Sequence, residues 1–166
     1  MFSINVTSLL FWGALLAIGV SDAQRHRIPN KMVLLLMLIT VCHLFVYGIT
    51  QWSDHLLGGL LAFFVSLLFY WKRAMAAGDV KLLFVVGLWL GLDQLAGASA
   101  YIILAGGVIG CFYLVQFLAL SGISWQHNVK SYYYQRVSYK FQYHTKLVIP
   151  FAPAVVIGLA SYYYLH

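Results

Sequence analysis

The sequence predicts an all-α polytopic membrane protein, a bundle of six transmembrane helices. Three observations carry that prediction. The 166 residues are 63% hydrophobic and only 8% charged, where a soluble domain carries about 25% charged residues. The apolar residues fall in long runs, not in the alternation of barrel strands. The ten Lys and Arg residues gather in three of the connections between those runs.

The first run covers residues 4–20. It lacks a basic start, and no small-x-small cleavage site separates it from Asp22 and Arg25, so it reads as a permanent helix and not as a cleaved signal peptide. The second covers 32–49 and the third 56–71. The fourth, 80–92, is the shortest, and the fifth, 95–120, the longest. The sixth covers 147–165. A hydrocarbon core of about 30 Å takes about 20 residues of helix, and lipid offers backbone groups no outside partner, so each run is expected to be helical. Cys42 and Cys111 fall inside these helices as expected packing residues. Without a CxxC pair they suggest neither zinc nor thiol redox chemistry. Small residues four apart, at Gly87/Gly91 and Gly106/Gly110, suit close helix crossings. Self-association into a homo-oligomer is a second use for such stripes.

The basic residues set the topology. Arg25, Arg27 and Lys31 lie between the first and second runs. Lys72, Arg73 and Lys81 flank the third-to-fourth connection, and Lys130, Arg136, Lys140 and Lys146 lie between the fifth and sixth. With six spans, all three connections share one side, which the positive-inside rule makes cytoplasmic. Both termini are then outside. The net charge of +6 is thus a topology signal, and no nucleic-acid partner is expected, because the cations hug membrane ends instead of forming one stripe. The stretch 121–146 interleaves tyrosine with Lys and Arg, a composition suited to the headgroup layer, and is expected to lie against membrane lipids.

The acidic residues are four aspartates, Asp22, Asp54, Asp79 and Asp93, with no glutamate. Carboxylates at a membrane edge are costly and mark functional candidates. Asp54 and Asp93 fall in expected outer loops, where a turn carboxylate needs no special role. Asp22 ends the first helix and Asp79 begins the fourth, both on the cytoplasmic side. Two such carboxylates fit a hydrolytic pair in which one ionised member takes a proton from water and the other, protonated, polarises a carbonyl. A helix start favours an anion and a helix end disfavours one, which assigns the charge to Asp79 and the proton to Asp22.

Three stretches carry a family resemblance. Asp22-Ala-Gln-Arg25-His-Arg27-Ile28-Pro29-Asn30 resembles the first aspartate motif of the type IV prepilin peptidases. Ala76-Ala77-Gly78-Asp79-Val80-Lys81-Leu82 resembles their GxGD motif, with Ala76 in place of the first glycine. Ile149-Pro150-Phe151-Ala152-Pro153-Ala154, followed by Gly158, is similar to their last helix. The resemblance implies a single membrane-embedded peptidase domain over residues 1–166, in the bacterial inner membrane with its catalytic loops in the cytoplasm. It implies an aspartyl endopeptidase that cuts the basic leader from a prepilin, with Asp22 and Asp79 as the catalytic pair and no cofactor or metal. Gly78, Lys81, Arg25, Pro29 and Asn30 are the expected supporting residues. The chain resembles the short, peptidase-only members that serve Flp-type (tight-adherence) pili, and no cysteine-containing methyltransferase domain is expected at its N-terminus. Two other readings remain at this stage: an ion- or proton-coupled transporter subunit, and a non-catalytic scaffold of a pilus or secretion machine.

Overall fold

The computed structural model describes residues 5–46, 52–121 and 150–165. They form five helices: α1 (Val6–Arg25), α2 (Asn30–Val46), α3 (Trp52–Trp71), α4 (Ala77–Ser121) and α5 (Ala152–Leu165), and among the described residues there is no strand. Helices α1, α3 and α4 are each long and apolar enough to cross a membrane. The stretch 121–146 lies, beyond its first residue, outside the described residues. The chain divides into two compact units, residues 1–106 with 150–166, and residues 107–149. In the second unit the end of α4 exposes Val108, Phe112, Leu114 and Val115.

In the first unit α1, α2, α4 and α5 each bury one stripe at helical spacing. On α1 the buried positions are Phe11, Leu15, Ile18 and Asp22, on α2 they are Val33, Leu36, Thr40 and Leu44, and on α5 they are Ala152, Val155 and Leu159. On α4 the stripe runs from Asp79 through Leu82 and Val86 to Leu90. Steps of three and four residues keep these side chains on one face. These stripes form one core in which Phe11 stacks on Trp89 at 3.9 Å between ring centroids. The opposite faces expose Leu34, Phe45, Phe64, Leu68 and Ile103, as lipid-facing surfaces would. His43 is hydrogen-bonded to Thr7 at 2.7 Å and lies against Trp89. Cys42 and Cys111 do lie in helices, but both are exposed and not packed.

Two expectations near the other end need correction. The two helices expected at 80–92 and 95–120 are present, but they meet at Gly91 and not in a loop around Asp93. They belong to α4, which is broken at Gly91, with φ 75° and ψ 173°, a backbone region open to glycine. Asp93 is therefore an exposed residue of the helix. Asp54 is not a residue of a solvated turn either: it sits in the first turn of α3, and its Oδ2 accepts the Leu92 N–H at 3.2 Å. Its neighbour His55 bonds the Leu88 carbonyl at 2.9 Å through Nδ1. A broken helix orphans N–H groups on one side and C=O groups on the other, and α3 takes one of each. The crossing is tight because Gly58 and Gly59 face Gly87, Leu88 and Gly91, the close approach that the Gly87/Gly91 spacing suggested.

Candidate active site

Both aspartates of the sequence motifs end on the buried stripe of their helix, at the same, basic end of the first unit. Asp22 is 5% exposed and Asp79 8%. Helix α1 stops one turn beyond Asp22. His26 takes a left-handed conformation (φ 49°) and returns its N–H to the Asp22 carbonyl at 2.8 Å. Helix α4 starts two residues before Asp79. The Asp79 Oδ2 accepts the Ala76 N–H at 3.1 Å, the reach-back of a residue in the first turn to the amide at the cap. Ala76 needs no glycine for this, since the positive-φ residues among those described are His26, Arg73 and Gly91.

The Asp22 carboxylate has a partner far away in sequence. Its Oδ2 accepts the backbone N–H of Ala152, the first residue of α5, at 2.9 Å. Among the described residues the hydrogen-bond partners of the two carboxylates are thus backbone amides, not the neighbouring cations. Arg25, the last residue of α1, is exposed. Lys81 donates to Asn30 Oδ1 at 3.0 Å, which ties the start of α2 to the first turns of α4. Pro29 stands immediately before α2, and its carbonyl accepts the Met32 and Val33 N–H groups at 3.0 and 3.3 Å. It occupies the cap, one step earlier than a first-turn proline. At Gly78 a Cβ would lie 3.2 Å from the Ile28 Cβ, so the missing side chain lets the α1–α2 loop approach α4. Beside the Asn30–Lys81 pair opens a groove of about 400 Å³ whose walls include Val33, Met37, Phe63 and Phe84.

At Asp79 the surroundings favour the protonated carboxyl. Asp79 stands just before the apolar stretch that begins at Val80. Burial pushes its carboxyl up to about 6. The Ala76 N–H pulls the other way, and the charge of nearby Asp22 pushes in the same direction as burial. Desolvation of an anion outweighs a helix-start contribution of about 0.3–1 kcal/mol. The start of α5 is aimed at the Asp22 carboxylate. A buried pair of carboxylates within electrostatic reach can share one proton and act as base and acid.

Of the expected supporting residues, Lys81 and Asn30 bond each other, Pro29 caps α2, Gly78 packs against Ile28, and Arg25 is exposed. Sequence reasoning missed the Ala152 amide. Pro-Phe-Ala-Pro announces a helix start there, but nothing local says which side chain that start meets. Among the described residues no group of three or more His, Cys, Asp or Glu side chains is arranged to hold a metal ion.

A family model described as the type IV leader peptidase family matches residues 9–115. That range includes both aspartates. Comparison with curated proteins and with solved structures gave no match.

Proposed function

The chain belongs to the type IV leader peptidase family, and on that premise we propose that it is an aspartyl endopeptidase of the bacterial inner membrane. It removes the basic leader from type IV prepilins, those of Flp-type pili in particular, at the cytoplasmic face. The observation that carries this reading is the pair of buried carboxylates at one end of the bundle, close enough for Asp22 to act on Asp79. In the resting enzyme Asp79 holds the shared proton and Asp22 is the base. Asp22 takes a proton from water, the hydroxide adds to the scissile carbonyl, and Asp79 protonates the carbonyl oxygen. The tetrahedral intermediate collapses as a proton passes to the leaving amine. In this reading the chain has six spans with both termini outside, and these groups then face the cytoplasm, where a leader emerges. The groove beside Lys81 accepts apolar side chains of the prepilin helix that follows the cut.

The test is cleavage of a Flp-type prepilin co-expressed with the chain, with the new N-terminus read by mass spectrometry. Wild type is expected to remove the leader, and Asp22→Asn and Asp79→Asn to leave it on while inserting normally in the membrane. Full cleavage by both variants refutes the dyad. Transport activity without proteolysis would favour the transporter reading.

A further inference from the structure

We propose that the backbone N–H of Ala152 is a positioning group for the Asp22 carboxylate, so that residues 150–154 act in the site as well as in the scaffold. The inference rests on the reading of Asp22 as a catalytic residue and adds how that residue is held.

Four observations converge. The bond is 2.9 Å long, buried, and joins residues 130 apart in the chain. Ala152 is the first residue of α5, so its N–H has no acceptor inside its own helix. Its neighbours do not compete. Pro153 has no N–H, and the Ala154 and Val155 N–H groups turn back to the Phe151 carbonyl at 3.0 and 3.3 Å. The approach itself is arranged from α1. Gly19 lies one turn before Asp22, and a Cβ there would meet Val156 Cγ2 at 3.1 Å and the Pro153 backbone at 3.9 Å. A side chain at 19 would press on Val156 in α5.

The amide occupies Oδ2 and leaves Oδ1 for the attacking water. It also fixes the rotation of the carboxylate, which Asp22 cannot do alone at the end of a helix. A fixed donor costs no reorganisation during the reaction, and misplacing a reacting group by about 1 Å can cost about 100-fold in rate.

Ala152→Pro deletes this N–H at the helix position that accepts proline best. With purified full-length protein and a prepilin substrate, kcat is expected to fall about 10–100-fold while KM stays within about 3-fold. A purely architectural amide would not separate the two constants in this way. A second measurement does not depend on activity. The unfolding midpoint in detergent is compared for Ala152→Pro alone, Asp22→Ala alone and the double variant. The proline is expected to lower the midpoint in the wild-type background and to have less than half that effect when Asp22 is alanine. Equal effects in both backgrounds, equal loss of insertion in both, or an unchanged kcat overturn the proposal. Retained cleavage by Asp22→Asn would instead defeat the dyad itself, so the two failures are distinguishable.

Discussion

Replacing Gly58 by alanine tests the crossing of α3 with the broken helix α4. A Cβ at 58 would lie 2.6 Å from the Gly91 carbonyl carbon and 2.8 Å from both the Gly87 oxygen and the Leu92 nitrogen. All three are backbone atoms and cannot rotate away. The shortest approach falls about 0.8 Å short of an ordinary 3.4 Å contact, so the helices must part by about that much. Overpacking of this kind costs about 1–3 kcal/mol. Parting also stretches the Asp54–Leu92 and His55–Leu88 bonds, now 3.2 and 2.9 Å, beyond hydrogen-bond range, at about 0.5–1.5 kcal/mol each. Alanine returns up to about 1 kcal/mol of helix propensity. The net loss is about 3 kcal/mol, a fall of roughly 10 °C in the unfolding midpoint. The assay is thermal unfolding in detergent followed by far-UV circular dichroism. Gly13→Ala is the control, because a Cβ there meets nothing within 4 Å, and it is expected to be neutral or slightly stabilising. A Gly58→Ala midpoint within about 2 °C of wild type would refute the packing argument, since the expected shift is several times larger.

Asp79 combines two roles that substitutions can separate. Asp79→Asn keeps an oxygen for the Ala76 N–H and should lose about 10²–10⁴-fold in cleavage with little change in midpoint. Asp79→Ala should lose the cap as well, at about 1 kcal/mol. Equal stability of the two variants would show that the Ala76 bond contributes nothing. The raised Asp79 carboxyl also sets a pH dependence. Its folded value of about 6 exceeds the ordinary carboxyl value of 3.8, so ionising it works against the folded state, and stability falls as pH rises between the two. The kcat/KM for prepilin should decline as pH rises through about 6 and the shared proton is lost. A profile flat from about pH 5 to about 8 would oppose this. In a chain with Cys42 and Cys111 replaced by alanine, Ser53→Cys should label from outside the cell and Lys72→Cys only from the cytoplasm. Labelling of both from one side would reject the six-span topology.

Much of this arrangement was legible because lipid imposes a simple code. Apolar runs located the helices, and basic residues marked one end of them. Helix boundaries were less legible, because hydropathy reports lipid contact and not helicity. Thus α1 continues through Ser21 to Arg25 and carries Asp22 inward. The buried stripes could not be chosen from the sequence either, since lipid-facing and core-facing residues are equally apolar. Asp93 and Gln94 suggested a loop by their polarity, whereas the break falls at Gly91, where α3 supplies both missing partners. The two aspartates were readable from their local motifs. The Ala152 amide at Asp22 and the Lys81–Asn30 bond were not, because each joins elements distant in the chain.

The break at Gly91 also fixes a length. The part of α4 that begins beside Asp79, residues 77–90, rises roughly 21 Å at about 1.5 Å per residue. A hydrocarbon core is about 30 Å thick. In a six-span arrangement the bilayer must thin around this arm, at a cost of fractions of a kcal/mol per Å. On the proposed topology such thinning would draw the cytoplasmic headgroups toward Asp79 and bring water, the carboxylates and the leader junction of a prepilin to one depth, so the proposed cleavage should slow as the host membrane is made thicker.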